Sequence, residues 1–91
     1  MVMVLSVKLR NRSGLHARPA SVFVRKCKAF KSAIKVQKGD KVADAKNILQ
    51  VLSLGADFGD EILIEISGED EKIAANEIKK LIEEELPEID K

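Results

Sequence analysis

At 91 residues and 10.0 kDa, with 45% hydrophobic and 34% charged residues, the chain is expected to form one soluble domain over residues 1–91. One histidine, one cysteine and no Trp or Tyr exclude a His-rich metal site, an internal disulfide and the stacking platforms of a single-strand nucleic-acid binder. The net charge of +1 conceals a first half (residues 1–41) with eleven Lys or Arg against one acid, and a second half with five Lys against fourteen acids.

In chain order, residues 2–10 read as a strand, with Leu5, Val7 and Leu9 alternating with Ser6, Lys8 and Arg10. This opening lacks the basic n-region and small-residue cleavage site of a signal peptide, and no apolar run approaches the ~20 residues of a membrane span. A cytoplasmic protein that does not insert into membranes is expected. Arg12 to His16 form a loop built on Gly14, and a helix begins near Ala17, with Ala20, Phe23, Cys27 and Phe30 at three- and four-residue spacings. Pro19 falls in its first turn, where a missing N–H costs nothing. Residues 33–37 alternate again and lead through Lys38-Gly39-Asp40, a hairpin signal, to a short strand around Val42. Asn47 can cap a short helix, Ile48 to Leu54, ended by Gly55. Residues 60–67 alternate Ile62, Ile64 and Ile66 with Glu61 and Glu65. The last helix, about Glu71 to Glu85, carries Ala74, Ile78, Leu81 and Ile82 on one stripe. Asp70 and Glu71 suit its start, and Pro87 is expected to end it.

The order β-α-β-β-α-β-α predicts an α+β domain: a four-stranded antiparallel sheet with three helices on one face. The charge asymmetry has two readings, solvated faces that balance each other or a basic surface that meets an acidic partner. Nucleic acid fits less well, because the acidic half would repel it.

Counting removes most catalytic templates. Cys27 lies on the core-facing stripe of its helix, about three turns from His16, and reads as a buried thiol. No nucleophile elbow or glycine-rich nucleotide loop is present. His16 is more informative, because a helix start presents unpaired N–H groups and a partial positive charge. That setting favours a neutral, nucleophilic imidazole, the N–H groups can receive phosphoryl oxygens, and Arg18 adds donors suited to phosphate. Such a site can accept and pass on a phosphoryl group but has little means to hydrolyse it. The plainer reading is an exposed loop histidine near a capping position. In the short helix, Ile48, Leu49 and Leu52 cannot all be buried in two turns, so one or two are expected at the surface as a contact patch, the alternative being that they cover the edge of the core.

The string Gly14-Leu15-His16-Ala17-Arg18-Pro19-Ala20, with Ala45-Lys46-Asn47-Ile48-Leu49 and Ser53-Leu54-Gly55 downstream, resembles the HPr family, the histidine-containing phosphocarriers of the phosphoenolpyruvate:sugar phosphotransferase system. Length, element order and the Gly68-Glu69-Asp70-Glu71 turn agree, so the resemblance spans the whole chain. It implies an open-faced β-sandwich and a carrier rather than a turnover enzyme. His16 would accept a phosphoryl group on Nδ1 from phosphorylated enzyme I and pass it to a histidine of a sugar-specific enzyme IIA. It also implies that Arg18 neutralises the phosphoryl charge, that Ser13, Ala17 and Pro19 support the histidine, and that Ala17, Ser21, Arg25, Ile48, Leu49 and Leu52 dock the partners. No cofactor or metal is expected, and a monomer is. One departure stands out: where many Gram-positive members carry a regulatory serine phosphorylated by an ATP-dependent kinase, this chain has Asn47, which lacks a hydroxyl. An HPr-like regulatory module acting on non-sugar targets is the alternative, since both roles need His16.

Overall fold

Four alternating segments form one antiparallel sheet in the computed structural model, which describes residues 2–91. The strands are β1 (Val2–Lys8), β2 (Ala33–Lys38), β3 (Lys41–Asp44) and β4 (Glu61–Ser67), in the spatial order β1-β4-β2-β3. The helices are α1 (Ala17–Lys28), α2 (Ile48–Ser53) and α3 (Glu71–Lys80). The architecture is thus α+β, with the helices over one face of the sheet.

Register follows from alternation, because a slip of one residue would turn every apolar side chain to water. Ile62, Ile64 and Ile66 of β4 pair with Val7, Leu5 and Met3 of β1, and Ile64 and Ile66 pair with Val36 and Ile34 of β2. This apolar face meets Ala20, Phe23 and Cys27 of α1 and Ala74, Ala75 and Ile78 of α3, all buried in one core cluster. Burial pushes the Cys27 thiol up to about 12, so it stays protonated and inert near neutrality. Lys38 pairs with Lys41 across the two-residue turn Gly39-Asp40, as the hairpin signal requires. Lys26 Nζ donates to Glu77 Oε1 at 2.9 Å and links α1 to α3.

Several expected boundaries move. β1 ends at Lys8, although Leu9 still exchanges backbone hydrogen bonds with Gly59 and Asp60. α1 closes at Lys28, so Phe30 lies beyond the helix and is only partly buried against the core. The larger difference is at Pro87. Instead of ending at Glu85, α3 widens into a π-helical stretch, Leu81–Glu85, and continues into a closing turn, α4 (Leu86–Ile89), with Pro87 in its first turn. The Leu86 N–H reaches back five residues to the Leu81 carbonyl. A π bulge offers a continuing helix a way around proline, whose ring crowds the carbonyl four residues earlier and whose nitrogen cannot donate. The extra turn buries Leu86 and carries Asp90 to the loop before α1.

Asp70 stands at the start of α3 with Glu71 in the first turn, as their charges suit, but its side chain makes no capping bond. Its carboxylate accepts instead from the Lys31 and Ser32 N–H groups, at 2.8 and 3.0 Å, and from the Ser32 hydroxyl. These bonds, the Ser32 hydroxyl first among them, hold its carboxyl below the usual carboxylate range.

Candidate functional site

The loop between β1 and α1 is tied down from beneath. Asn11 is fully buried, and its Nδ2 donates to the Gly14 carbonyl at 2.8 Å and to Asp90 Oδ2 at 2.9 Å. The Ser13 N–H donates to the same Asp90 oxygen at 2.7 Å, and the Ser13 hydroxyl to Oδ1 at 3.2 Å. These donors, led by the Ser13 N–H, hold the Asp90 carboxyl below its usual range. Ser13 thus braces the loop through Asp90; among the described residues its hydroxyl bonds Asp90 and not His16.

From the side, the loop rests on the segment before β4. The Leu15 N–H donates to the Ala56 carbonyl at 2.9 Å, and Leu15 is buried. His16 follows as the N-cap of α1, in an extended conformation and with no side-chain capping bond. Its side chain is 39% exposed, and Nε2 lies 2.8 Å from Asp57 Oδ1. Nδ1 has no partner among the described residues. Asp57 is itself placed by a local clamp. Its N–H donates to Asp60 Oδ2 at 2.8 Å, and Lys38 Nζ bridges Asp60 at 3.1 Å and the Gly55 carbonyl at 2.8 Å. The Asp57 N–H, followed by Lys38, keeps the Asp60 carboxyl below its usual range.

Ala17 starts the helix at φ +50°, in the left-handed region that costs a residue with a Cβ about 1–2 kcal/mol. The N–H groups of Ala17 and Arg18 make no hydrogen bond among the described residues, as expected at a helix start. Pro19, buried in the first turn, has no N–H, so this helix start offers two free donors. Arg18 is exposed and forms no ion pair among the described residues. An imidazole with one free ring nitrogen, two free backbone donors and an uncommitted guanidinium can take up an anionic group of three oxygens, a phosphoryl group, at one acceptor nitrogen.

The docking candidates also come together. Ser21 and Arg25 are exposed on α1, and with Val24, Lys28 and Ile48 they line a shallow depression of about 250 Å³. On α2, Ile48, Leu49 and Leu52 are all exposed, Leu49 by 75%. That is more than the one or two expected, because α2 meets the core through Val51 alone. Asn47 caps α2 as expected, its Oδ1 accepting from the Gln50 N–H at 3.2 Å. Asp57 and Asp90 were not singled out by the sequence. They stand 41 and 77 residues from their partners His16 and Ser13, and no local pattern marks such pairs.

Residues 5–84 match the family model described as the PTS HPr component phosphorylation site. Over 71 residues the chain is 42% identical to phosphocarrier protein HPr of Borreliella burgdorferi, covering 78% of this chain and 83% of that one. It is 35% identical over 80 residues to the HPr-like protein Crh of Bacillus subtilis, covering 88% and 94%. Among solved structures, HPr of Thermoanaerobacter tengcongensis superposes with a TM-score of 0.90 at 36% identity, covering 92% of this chain and 94% of that one. A Bacillus subtilis Crh structure described as a swapped dimer gives 0.73 at 35%, covering 88% and 92%. A matched family model over most of the chain, relatives of similar length and the same fold around His16 establish that this chain belongs to the HPr phosphocarrier family.

Proposed function

We propose that the chain is a phosphoryl carrier between two protein histidines, receiving from phosphorylated enzyme I and delivering to a sugar-specific enzyme IIA in phosphoenolpyruvate-driven sugar uptake. The observation that carries this reading is the half-exposed ring of His16 at the start of α1, where among the described residues Nδ1 has no partner and two backbone N–H groups are free. Nδ1 attacks the phosphorus and forms an N–P bond, while the donor's N–P bond breaks and returns its electron pair to the donor imidazole. Delivery is the same step with the roles exchanged. Arg18 meets the phosphoryl oxygens during both. Ala17 and Pro19 set the helix start that supplies the N–H groups, and Ser13 braces the loop beneath.

Ser21 and Arg25 of α1 with Ile48, Leu49 and Leu52 of α2 form the docking surface. An apolar centre flanked by Arg18, Arg25 and Lys28 suits an acidic partner with an apolar contact at its middle. The relay asks for one His16 and its own helix start at a time, so the chain is read as a working monomer. The relay places it in the cytoplasm, where phosphoenolpyruvate supplies the phosphoryl group.

Incubation with phosphoenolpyruvate and active enzyme I tests the reading. The wild-type mass rises by one phosphoryl group that is labile in acid and stable in base, and His16→Ala abolishes the rise. An unmodified wild-type chain, with an enzyme I active on another carrier, refutes it. The similarity to Crh supports a second reading, a regulatory module. In that case the phosphorylated chain fails to pass its group to any enzyme IIA of its host.

A further inference from the structure

We infer that Asp57 is a positioning residue for this transfer, its carboxylate fixing His16 in the tautomer that carries hydrogen on Nε2; the inference rests on the carrier reading above. Asp57 Oδ1 lies 2.8 Å from His16 Nε2. An ionised carboxylate can only accept, so the ring nitrogen facing it must be the donor. A neutral imidazole holds one ring hydrogen, and placing it on Nε2 leaves the lone pair on Nδ1. Without this contact the two tautomers compete, and the molecules with hydrogen on Nδ1 cannot attack.

The contact is built rather than incidental, because both of its ends are held. The Leu15 N–H to Ala56 carbonyl bond joins the two segments one residue before each partner. The Asp57 N–H is fastened by the Asp60 carboxylate, itself held by Lys38. A ring and a carboxylate so placed meet without ordering two free chains.

The carboxylate also follows the charge through the reaction. When Nδ1 forms its bond to phosphorus, the receiving ring keeps its Nε2 hydrogen and becomes cationic, while the donor ring regains its electron pair and becomes neutral. No proton has to move between the proteins. Asp57 accepts from the Nε2–H throughout, and that hydrogen bond strengthens as the ring turns positive. The same negative charge opposes the incoming phosphoryl group, but from the far side of the ring and through water, since the Asp57 side chain is 69% exposed. A direct hydrogen bond outweighs a longer-range, screened repulsion. Exposure also limits the gain, so removal of the carboxylate should slow transfer by about two- to fivefold, the scale of an exposed charged pair.

The experiment reads the ring-nitrogen chemical shifts of His16 at a pH where the ring is neutral, beside the initial rate of phosphoryl uptake from phosphorylated enzyme I. It compares wild type with Asp57→Ala, Asp57→Asn and Asp57→Glu. Wild type should show the Nε2–H form dominant, and Asp57→Ala a mixture with slower uptake at unchanged melting temperature. Asp57→Asn, which keeps an acceptor oxygen without charge, should hold the tautomer yet transfer more slowly, and Asp57→Glu should recover both readouts in part. Ring-nitrogen shifts that are identical in wild type and Asp57→Ala, or a tautomer change with no loss of rate, overturn the inference alone. A wild-type chain that active enzyme I leaves unmodified overturns the carrier reading, and the role of Asp57 in transfer with it.

Discussion

A Cβ built on Gly14 would stand 2.5 Å from the Ala56 carbonyl oxygen and 2.6 Å from Asp57 Cα. The loop that carries His16 therefore touches the segment that carries Asp57 with only a hydrogen atom between them. Gly14 also has φ +66°, where a side chain is strained. Gly14→Ala faces both penalties, and backbone strain with overpacking should cost about 2–6 kcal/mol together. The obstructing atoms are backbone, so they cannot rotate aside. Urea unfolding should show the loss, and phosphoryl uptake per folded molecule should fall as well, because relief of the clash separates His16 from Asp57. A variant with wild-type stability and uptake would mean that this approach is not needed.

Much of the path to that contact was legible in the chain. Period-two alternation in Leu5-Val7 and in Ile62-Ile64-Ile66 gave the strands and the face each buries. Gly39 and Asn47 marked a turn and a cap by local chemistry. Gly14, His16, Arg18 and Pro19 stand at spacings that fit the start of a helix. Asp57 and Asp90 had no such mark. Each acts on a residue far along the chain, and only the folded backbone brings them within hydrogen-bond range. Pro87 runs against its local tendency for a related reason: proline usually stops a helix, and a π bulge together with the burial of Leu86 overrides that effect.

Arg18→Ala should slow transfer far more than it harms folding. The side chain is exposed and unpaired among the described residues, and such substitutions usually shift stability by no more than ~0.5 kcal/mol. A charge-assisted contact to phosphate is worth about 1.5–3 kcal/mol, which corresponds to roughly ten- to a hundredfold in rate if formed in the transition state. Lys should recover part of the rate, having the charge but not the planar fork. Rates of uptake and delivery beside a melting curve decide the matter. A collapsed melting temperature with normal transfer per folded molecule would make Arg18 structural.

Acid should weaken the fold through Asp70. Its carboxyl titrates lower in the folded chain than in the unfolded one, owing to the Ser32 hydroxyl and then the Lys31 N–H. The folded state thus binds the proton less readily. The stabilisation is complete above the unfolded value of about 3.9 and disappears as pH falls through the lower folded value. Asp70→Asn removes that titration and one acceptor oxygen. The variant should be less stable near neutrality, and its denaturant midpoint should decline less steeply below about pH 4. Curves that stay parallel throughout the acid range would show that Asp70 contributes nothing to acid sensitivity. The Asp70 bonds go to Lys31 and Ser32 and involve none of His16, Arg18 or Asp57, so phosphoryl uptake near neutrality should change little.

Asn47 bears on regulation. Its Oδ1 accepts from the Gln50 N–H and caps α2 without charge, directly before the exposed Ile48 and Leu49. An ATP-dependent HPr kinase should leave the chain unmodified, because the amide offers no hydroxyl at this position. A phosphate here would place about −2 charge at the edge of the docking surface. The start of a helix tolerates such charge, whereas an acidic partner would be repelled by it. Asn47→Ser keeps a side-chain oxygen for the cap and should permit phosphorylation by the kinase. Asn47→Asp also keeps the cap and carries a fixed negative charge. It should slow exchange with enzyme I by about two- to fivefold at low salt, the scale of one exposed charge pair, and the loss should shrink as salt screens the charge. Ser53, the nearby hydroxyl, donates to the Gln50 carbonyl at 2.7 Å and lies at the far end of α2, which makes it a poor substitute acceptor. Mass spectrometry after kinase treatment tests the first expectation, and a phosphate on wild-type Ser53 would show that the docking surface is under kinase control after all. Exchange rates for Asn47→Asp across a salt series test the second, since a loss that salt does not relieve would point to altered packing of α2 rather than to charge.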